Sequence, residues 1–262
     1  VLTLPHLETD ITQACQLSCV GCNHLVPLWR KHGPRQANPA QMEHDLGILA
    51  KLIHVPRWGA LGGEPTLHRG LTELLQVARA SGVADRTEVW TNGLLLPKMA
   101  PAFWKAFDIL ILSVYEGQHD EDSLAWIRTK CADEGVILEV KDERIKHNFR
   151  TLLEPVPTDA VTTKKKYREC FFRGFSRAAN YGFFFTCCCA PHMPLLLRGE
   201  PYGTDGIPIT ADMTENDIRG YLNQEEPLAS CAQCAGRATA KPIPWHEERI
   251  PLKWLAASAG TV

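Results

Sequence analysis

The sequence predicts an α/β fold in which a parallel, barrel-like sheet is followed by a small annex of mixed α+β character. Three observations carry this. Apolar runs with strand character alternate with amphipathic helical stretches as far as about residue 150. No hairpin signal joins one run to the next, so neighbouring strands pair in parallel across helical crossovers. Beyond about Pro155 the alternation gives way to short strands, tight turns and cysteines.

The first strand runs from Leu7 to Gln13, mixing β-branched and polar residues, and leads into a loop that carries Cys15, Cys19 and Cys22. A basic, turn-rich stretch from Arg30 to Arg35 follows. Asn38, Pro39 and Gln41 form a helix-start signature, with Met42, Leu46, Leu49 and Ile53 at helical spacing behind it. Trp58 to Leu61 is the second strand and ends in Gly62-Gly63-Glu64-Pro65; Leu71, Leu74, Leu75 and Ala78 then mark an amphipathic helix that stops at Gly82. Thr87 to Thr91 is the third strand, closed by Asn92-Gly93. Asp108 to Tyr115, with Ile109, Leu110, Ile111 and Leu112 in a row, is the fourth and is expected to be buried on both faces. A helix from about Asp120 to Glu134 and a fifth strand from Val136 to Lys141 complete the series. Loops that follow the C-terminal ends of parallel strands share one rim, where such sheets place ligands. The cysteine loop, Gly-Gly-Glu-Pro and Thr91-Asn92-Gly93 should therefore converge.

In the second half, Phe175 to Asn180 and Phe183 to Cys187 read as two short strands about a tight turn at Tyr181-Gly182. A helix around Glu215 to Gln224 precedes Cys231-Ala232-Gln233-Cys234-Ala235-Gly236. This segment is too small for a large core and is expected to fold round a metal, which divides the chain into 1–160 and 161–262.

With 262 residues, 45% of them hydrophobic, the chain can bury a real core, and its formal charge of -2 gives no general pull toward nucleic acid or membrane. No apolar run approaches the roughly 20 residues of a membrane span. The start, Val1 to His6, lacks the basic and apolar regions of a signal peptide, so a cytoplasmic protein is expected. Ten cysteines in a reducing compartment argue for metal rather than disulfides, and Cys187-Cys188-Cys189 cannot be a disulfide framework. Three thiols within eight residues, Cys15 to Cys22, imply a metal centre with one coordination position open. A structural zinc site that borrows a distant ligand such as His24 is the alternative.

The C-x3-C-x2-C spacing of Cys15, Cys19 and Cys22, followed by Gly62-Gly63-Glu64-Pro65, resembles the radical S-adenosylmethionine (SAM) superfamily. The resemblance implies that the three cysteines hold three irons of a 4Fe–4S cluster and that the fourth iron takes the amino and carboxylate groups of SAM. An electron from the cluster then splits SAM into methionine and a 5′-deoxyadenosyl radical. It implies a partial (β/α) TIM-like barrel over about 7–150 and an iron–sulfur annex of the twitch type, a shortened relative of the SPASM domain, over about 165–240. Gly21 stands where the family usually carries an aromatic residue. By the same likeness Gly62, Gly63, Glu64 and Pro65 set backbone and a carboxylate beside the SAM ammonium, and Thr91, Asn92 and Ser113 contact its methionyl or ribose part. Taken alone, these residues are also ordinary turn chemistry and strand polarity. Cys170, Cys187, Cys231 and Cys234 resemble the four ligands of an auxiliary 4Fe–4S cluster, although a zinc site with four thiolates has the same spacing. Cys188 and Cys189 are bystanders, alternate ligands or hydrogen-atom donors to a substrate radical.

The number, order and separations of the cysteines are similar to those of the radical SAM dehydrogenases that oxidise the aminocyclitol 2-deoxy-scyllo-inosamine. That likeness implies hydrogen-atom abstraction from a carbinol carbon, loss of the hydroxyl proton to a base, and departure of the ketyl electron through the auxiliary cluster; Arg144 or Arg150 would aid the deprotonation. Peptide-modifying maturases share the annex, and many carry an N-terminal peptide-binding domain. Only 14 residues precede Cys15, so a small polar substrate such as a sugar, cyclitol or aminoglycoside precursor is expected. The expected partner is an external electron donor such as flavodoxin or ferredoxin, with neither nucleic acid nor membrane. Epimerisation and peptide modification are the alternative activities, and a zinc or iron–sulfur interaction module is the non-enzyme alternative. Cys131 reads as a core thiol behind Leu124 and Ile127, and Lys164-Lys165-Lys166 with Arg168 as a solvated basic loop. Phe171, Phe172, Phe183, Phe184 and Phe185 read as the annex core rather than a substrate platform.

Overall fold

Residues with period-two apolarity form strands and those with helical spacing form helices. In the computed structural model, which describes residues 1–146, 149–150, 152–154, 156–236 and 240–248, the first half contains β1 (Leu2–Thr3), β2 (Leu7–Thr12), α1 (Val26–His32), α2 (Pro39–Leu49), β3 (Ile53–Gly62) and α3 (Leu71–Ser81). It continues with β4 (Ala84–Thr91), α4 (Pro101–Trp104), β5 (Ile109–Val114), α5 (Glu121–Glu134) and β6 (Ile137–Asp142). The second half contains α6 (Ala160–Arg168), α7 (Phe171–Phe175), β7 (Ala178–Asn180), β8 (Phe183–Phe185), α8 (Met193–Arg198), β9 (Ile207–Pro208) and α9 (Glu215–Asn223).

The described strands form one sheet in the order β6-β5-β4-β3-β2-β7-β8-β9, with β1 beside β3. From β2 to β6 every strand pairs in parallel with its sequence neighbour. This is the expected α/β architecture, a mostly parallel sheet consistent with a partial TIM-like barrel. The outer face of the sheet packs on the helices: Leu7 and Ile11 of β2, Val89 of β4 and Leu110 of β5 share one apolar cluster with Leu46, Leu49, Leu74, Leu75, Leu124, Ile127 and Cys131. Cys131 is thus the core thiol its spacing predicts. The annex extends the same sheet, since β7 pairs in parallel with β2 through Glu8 and Ala178, and Glu8 N–H donates to Arg177 O at 2.8 Å. The strands β8 and β9 then add in antiparallel fashion.

Helix starts follow the capping signals: Asn38 accepts from Gln41 N–H, Asp120 from Ser123 N–H, and Thr214 and Asp217 cap α9 reciprocally. Four stretches differ from expectation. Arg30, Lys31 and His32 form the last turn of α1, where cations complement the helix dipole, rather than a loop. The helical spacing that ran to Ile53 ends at Leu49, and Ile53 opens β3. Lys164 to Lys166 lie on α6, which Asp159 caps by accepting from Val161 and Thr162; this helix is mostly polar, so no apolar period announced it. Phe175, read as strand, ends α7, and β7 begins only at Ala178.

Barrel and annex are joined by a buried ionic network. Asp10, facing away from the helices, accepts from His24 Nδ1 at 2.9 Å and from Asn180 Nδ2 at 3.1 Å, and its N–H donates to Asn180 Oδ1 at 2.7 Å. His192 Nε2 lies 3.3 Å from Asp10 Oδ2. Burial opposes ionisation of Asp10, and the two histidines outweigh it, holding the carboxyl below its usual range. Burial likewise works against a charged His24, yet Asp10 pushes its pKa up to about 10, whereas burial brings His192 down to about 4. The ligand atoms of Asp10, His24 and His192 lie within 4.8 Å of one another, the one such group among the described residues. It is a poor metal site. Trp29 Nε1 can only donate, and it donates to His192 Nδ1 at 3.2 Å, so the neutral ring carries its proton on Nε2 and offers no lone pair toward Asp10.

Removing the charged partner should therefore expose the cost of a lone buried carboxylate. His24→Ala is expected to lose about 3 kcal/mol or more in urea unfolding, and adding Asp10→Asn should restore part of that loss.

Candidate functional site

The C-terminal strand ends open on a cavity of about 380 Å³ whose wall includes Cys15, Cys19, Cys22, Gly62, Gly63, Glu64, Thr91, Asn92, Ser113 and Arg150. The convergence anticipated from parallel pairing is therefore present. The loops are tied to one another by backbone. Gly63 N–H donates to Thr12 O at 2.6 Å and Glu64 N–H to Ala14 O at 2.8 Å, which carries the β2–β3 pairing past the strand ends. A Cβ on Gly62 would lie 2.3 Å from Thr12 O, and one on Gly63 would lie 2.1 Å from Ala14 O; Gly62 also has φ +113°. Both positions are glycine because one loop lies directly on the other.

Glu64 is buried and heavily bonded. Its Oε1 accepts from Thr66 N–H at 3.1 Å, Thr66 Oγ1 at 2.5 Å and Thr91 Oγ1 at 2.7 Å, and its Oε2 accepts from Asn92 N–H at 2.8 Å. Burial raises its pKa despite these donors. The carboxylate thus clamps the end of β3 to the end of β4, and Pro65 opens a short 3-10 helix, Pro65–Leu67, outside the cavity wall. Gln16 Nε2 donates to Asn92 Oδ1 at 3.1 Å, so the cysteine loop is tied to β4 as well.

On its other side the cysteine loop is held by the segment 240–248. Ser18 N–H donates to Glu247 Oε1 at 2.6 Å, Val20 N–H to His246 O at 3.0 Å, and Trp245 Nε1 to Cys19 Sγ at 3.1 Å. The Trp245 ring stacks on Tyr115 with centroids 4.8 Å apart. Gly21 has φ +78°, and a Cβ there would meet Arg150 O at 2.4 Å. The close passage of this second strand of chain explains why no aromatic side chain stands at position 21.

The residues fit a cluster better than a single ion. Among the described residues no three potential ligand sulfurs lie within 4.8 Å of one another, whereas one tetrahedral zinc with bonds of about 2.3 Å would draw them to about 3.8 Å. Burial pushes the Cys15 thiol up to about 12 and raises Cys19 further, with neighbouring thiols adding repulsion, so these groups deprotonate only as a cation arrives.

A second group forms in the annex from three separate stretches: Cys170 before α7, Cys187 after β8, and Cys231 with Cys234 on and just after a short 3-10 helix, Ala229–Gln233. Burial raises the Cys187 thiol, and repulsion from Cys188, Cys170, Cys231 and Cys234 adds to it; burial likewise brings Cys231 to about 12 and Cys234 to about 11. The buried Arg177 guanidinium is within electrostatic reach of Cys187 and Cys170, and its Nε has no hydrogen-bond partner. It offers positive charge where a set of thiolates would need it.

Of the remaining candidates, Arg150 lines the cavity and donates to Ala240 O at 3.0 Å, whereas Arg144 is exposed, holds Asp142 through two bonds at 2.9 and 2.7 Å, and lies off the wall. Cys188 reaches the wall, where Asn23 Nδ2 donates to its sulfur at 3.4 Å; Cys189, 3.8 Å behind it, is sealed away. Phe184 and Phe185 are core, as expected, but Phe171 and Phe175 are exposed and stack on each other at the cavity. Sequence reasoning passed over His6, Glu8, Trp90, Lys141 and Glu143, all on the wall. The signal was there: His6, Glu8 and Asp10 alternate with Leu7, Thr9 and Ile11, which puts three ionisable side chains on one strand face.

No family model matches the chain. Among curated proteins it is 28% identical over 106 residues to GTP 3′,8-cyclase of Chlorobaculum tepidum, covering 40% of this chain and 30% of that one. It is 33% identical over 105 residues to GTP 3′,8-cyclase of Pelotomaculum thermopropionicum, covering 38% and 31%. Such matches span 29% to 64% of the relatives' own lengths. Among solved structures, BtrN in complex with AdoMet and 2-DOIA is similar in fold, with a TM-score of 0.53, 12% identity, and coverage of 84% of this chain and 82% of that one. No helix among the described residues is long and apolar enough to cross a membrane. The fold is thus similar to that of BtrN, and the cysteine triad, the Gly-Gly-Glu turn laid against it and the parallel sheet lie together as the radical SAM resemblance implies.

Proposed function

We propose that this radical SAM enzyme cleaves SAM reductively and removes a hydrogen atom from a small polar substrate of sugar, cyclitol or aminoglycoside type, oxidising a carbinol to a ketone. The observation that carries the reading is one cavity of about 380 Å³ that joins the cysteine triad to a wall of ionisable side chains. Cys15, Cys19 and Cys22 would hold a 4Fe–4S cluster, which with SAM supplies the electron for cleavage. Gly62, Gly63, Glu64, Thr91, Asn92 and Ser113 form the wall against which SAM would lie.

Cys170, Cys187, Cys231 and Cys234 would hold the auxiliary cluster, with Arg177 as counter-charge. In this reading a core over 1–160 serves SAM and an annex over 161–262 serves the second cluster; residues 249–262 lie outside the described residues. An external donor such as flavodoxin or ferredoxin would reduce the protein in the cytoplasm. Arg150, on the wall, is better placed than Arg144 to meet a substrate hydroxyl. Cys188 favours one second reading, epimerisation, because a thiol on the wall can return a hydrogen atom to the substrate radical.

Anaerobic reconstitution should give about eight irons per chain and the double variant Cys231→Ala, Cys234→Ala about four, read by iron analysis. One zinc per chain, or no 5′-deoxyadenosine under a strong reductant, would sink the proposal. With deuterated sugars and cyclitols as candidates, a substrate should place deuterium in 5′-deoxyadenosine. A ketone product that survives Cys188→Ala means oxidation; an inverted centre lost in that variant means epimerisation.

A further inference from the structure

A buried carboxylate oxygen needs a donor, and four carboxylates around the barrel interior can be accounted for atom by atom. Asp10 is matched by His24 and Asn180, one on each oxygen. Glu64 is matched by Thr66, Thr91 and Asn92. Glu88 accepts from His6 Nε2 at 2.8 Å and Trp90 Nε1 at 2.6 Å on one oxygen and faces Arg57 at 3.5 Å on the other. Glu8 is different. Its Oε2 accepts from Ser176 Oγ at 3.0 Å, while its Oε1, equally buried, has no partner.

Glu8 lines the cavity that holds the cysteine triad, and so does His6, two residues earlier on the same strand face. Against the cost of burial, His6, Trp90 and Arg57 hold the Glu88 carboxyl below its usual range, and His6 meets it through Nε2. The other nitrogen, Nδ1, is turned toward Glu8. It sits 3.9 Å from Glu8 Oε2 and has no partner either. Phe175 stacks on the His6 ring with centroids 5.5 Å apart and planes 8° from parallel, which holds the ring in place. An unpartnered carboxylate oxygen beside an unpartnered imidazole nitrogen on a cavity wall describes half of a binding site.

Resting on the radical SAM reading of the cavity, we propose that Glu8 and His6 form its substrate subsite and that the substrate presents a protonated amine beside a hydroxyl, the ammonium donating to Glu8 Oε1 and the hydroxyl hydrogen-bonding with His6 Nδ1. The charge argument selects the amine. Glu88 has its charge answered by Arg57, whereas Asp10 and Glu8 share the charge of His24, which is hydrogen-bonded to Asp10; Glu8 itself is hydrogen-bonded only by a serine hydroxyl. A neutral hydroxyl on Oε1 would mend the hydrogen bond and leave the charge unmatched, whereas an ammonium mends both. Burial raises the Glu8 pKa in spite of His24 and His6, neither of which is hydrogen-bonded to it.

The test is calorimetric titration of the reconstituted, SAM-saturated protein with two matched pairs, glucosamine against glucose and scyllo-inosamine against scyllo-inositol. In at least one pair the amine should bind about tenfold more tightly, and Glu8→Gln should reduce that preference to about twofold without weakening the neutral member. Ser176→Ala, which touches only Oε2, should keep the preference. Should Glu8→Gln not fold, as judged by its melting curve, Glu8→Asp takes its place and should lose most of the preference through its shorter reach. No amine preference in either pair, tighter binding of glucose 6-phosphate than of glucosamine, or a preference that survives loss of the Glu8 carboxylate would overturn the subsite. Substrate-free SAM cleavage by the wild-type protein, measured in parallel, separates the two ideas: its absence overturns the radical reading while the amine preference still judges Glu8.

Discussion

The backbone contact between the cysteine loop and the Gly62-Gly63-Glu64 turn is the constraint on which the rest of the site depends. Two hydrogen bonds, from Gly63 N–H to Thr12 O and from Glu64 N–H to Ala14 O, extend parallel pairing beyond the sheet. They require a separation that no side chain at 62 or 63 would allow. Once the loops are seated, Glu64 lies within reach of Thr91 and the backbone of Asn92, and Gln16 within reach of the Asn92 side chain. Three successive strand ends are then one rigid rim. The thiols are presented on that rim rather than on a free loop, which spares a bound cofactor the entropy of ordering them.

Charge organises the interior of the barrel in the same manner. The inner face of β2 carries Glu8 and Asp10, with His6 just ahead of the strand, a composition that is costly to bury unless its charges are answered. Asp10 is answered by a histidine from the cysteine loop and an asparagine from the annex, so the ion pair also fastens the annex strand β7 to the barrel strand β2. Arg177 follows the same logic in reverse, a buried cation beside a set of thiols. The annex is therefore continuous with the sheet, coupled to it through hydrogen bonds and through electrostatics.

How much of this was legible depended on the range of the signal. The cap at Asn38, the stop at Gly82, the apolar fourth strand and the core thiol Cys131 are local features, and each took its expected place. The polar helix α6 and the short α7 lacked an apolar period and were read as loop and strand; packing against neighbouring elements makes them helical. Gly62 and Gly63 were noticed as glycines that let backbone approach a ligand. Their observed duty is to let backbone approach backbone, a distinction that spacing alone does not carry. His6 and Glu8 were overlooked because polar residues that alternate along a strand look like its solvent face until the sheet closes over them.

By itself the sequence determined the parallel α/β order of elements and the triad of Cys15, Cys19 and Cys22, because ligands within eight residues on one loop cannot be far apart in space. Only the tertiary structure decided which distant groups join them. Glu8, Arg150, Cys188 and Trp245 come from four remote stretches, and sheet pairing, not chain spacing, brings them round the cysteine loop. The physical reason is that strand register acts at long range: pairing Glu8 with Ala178 places β7 beside β2, and β8 and β9 add to it in turn.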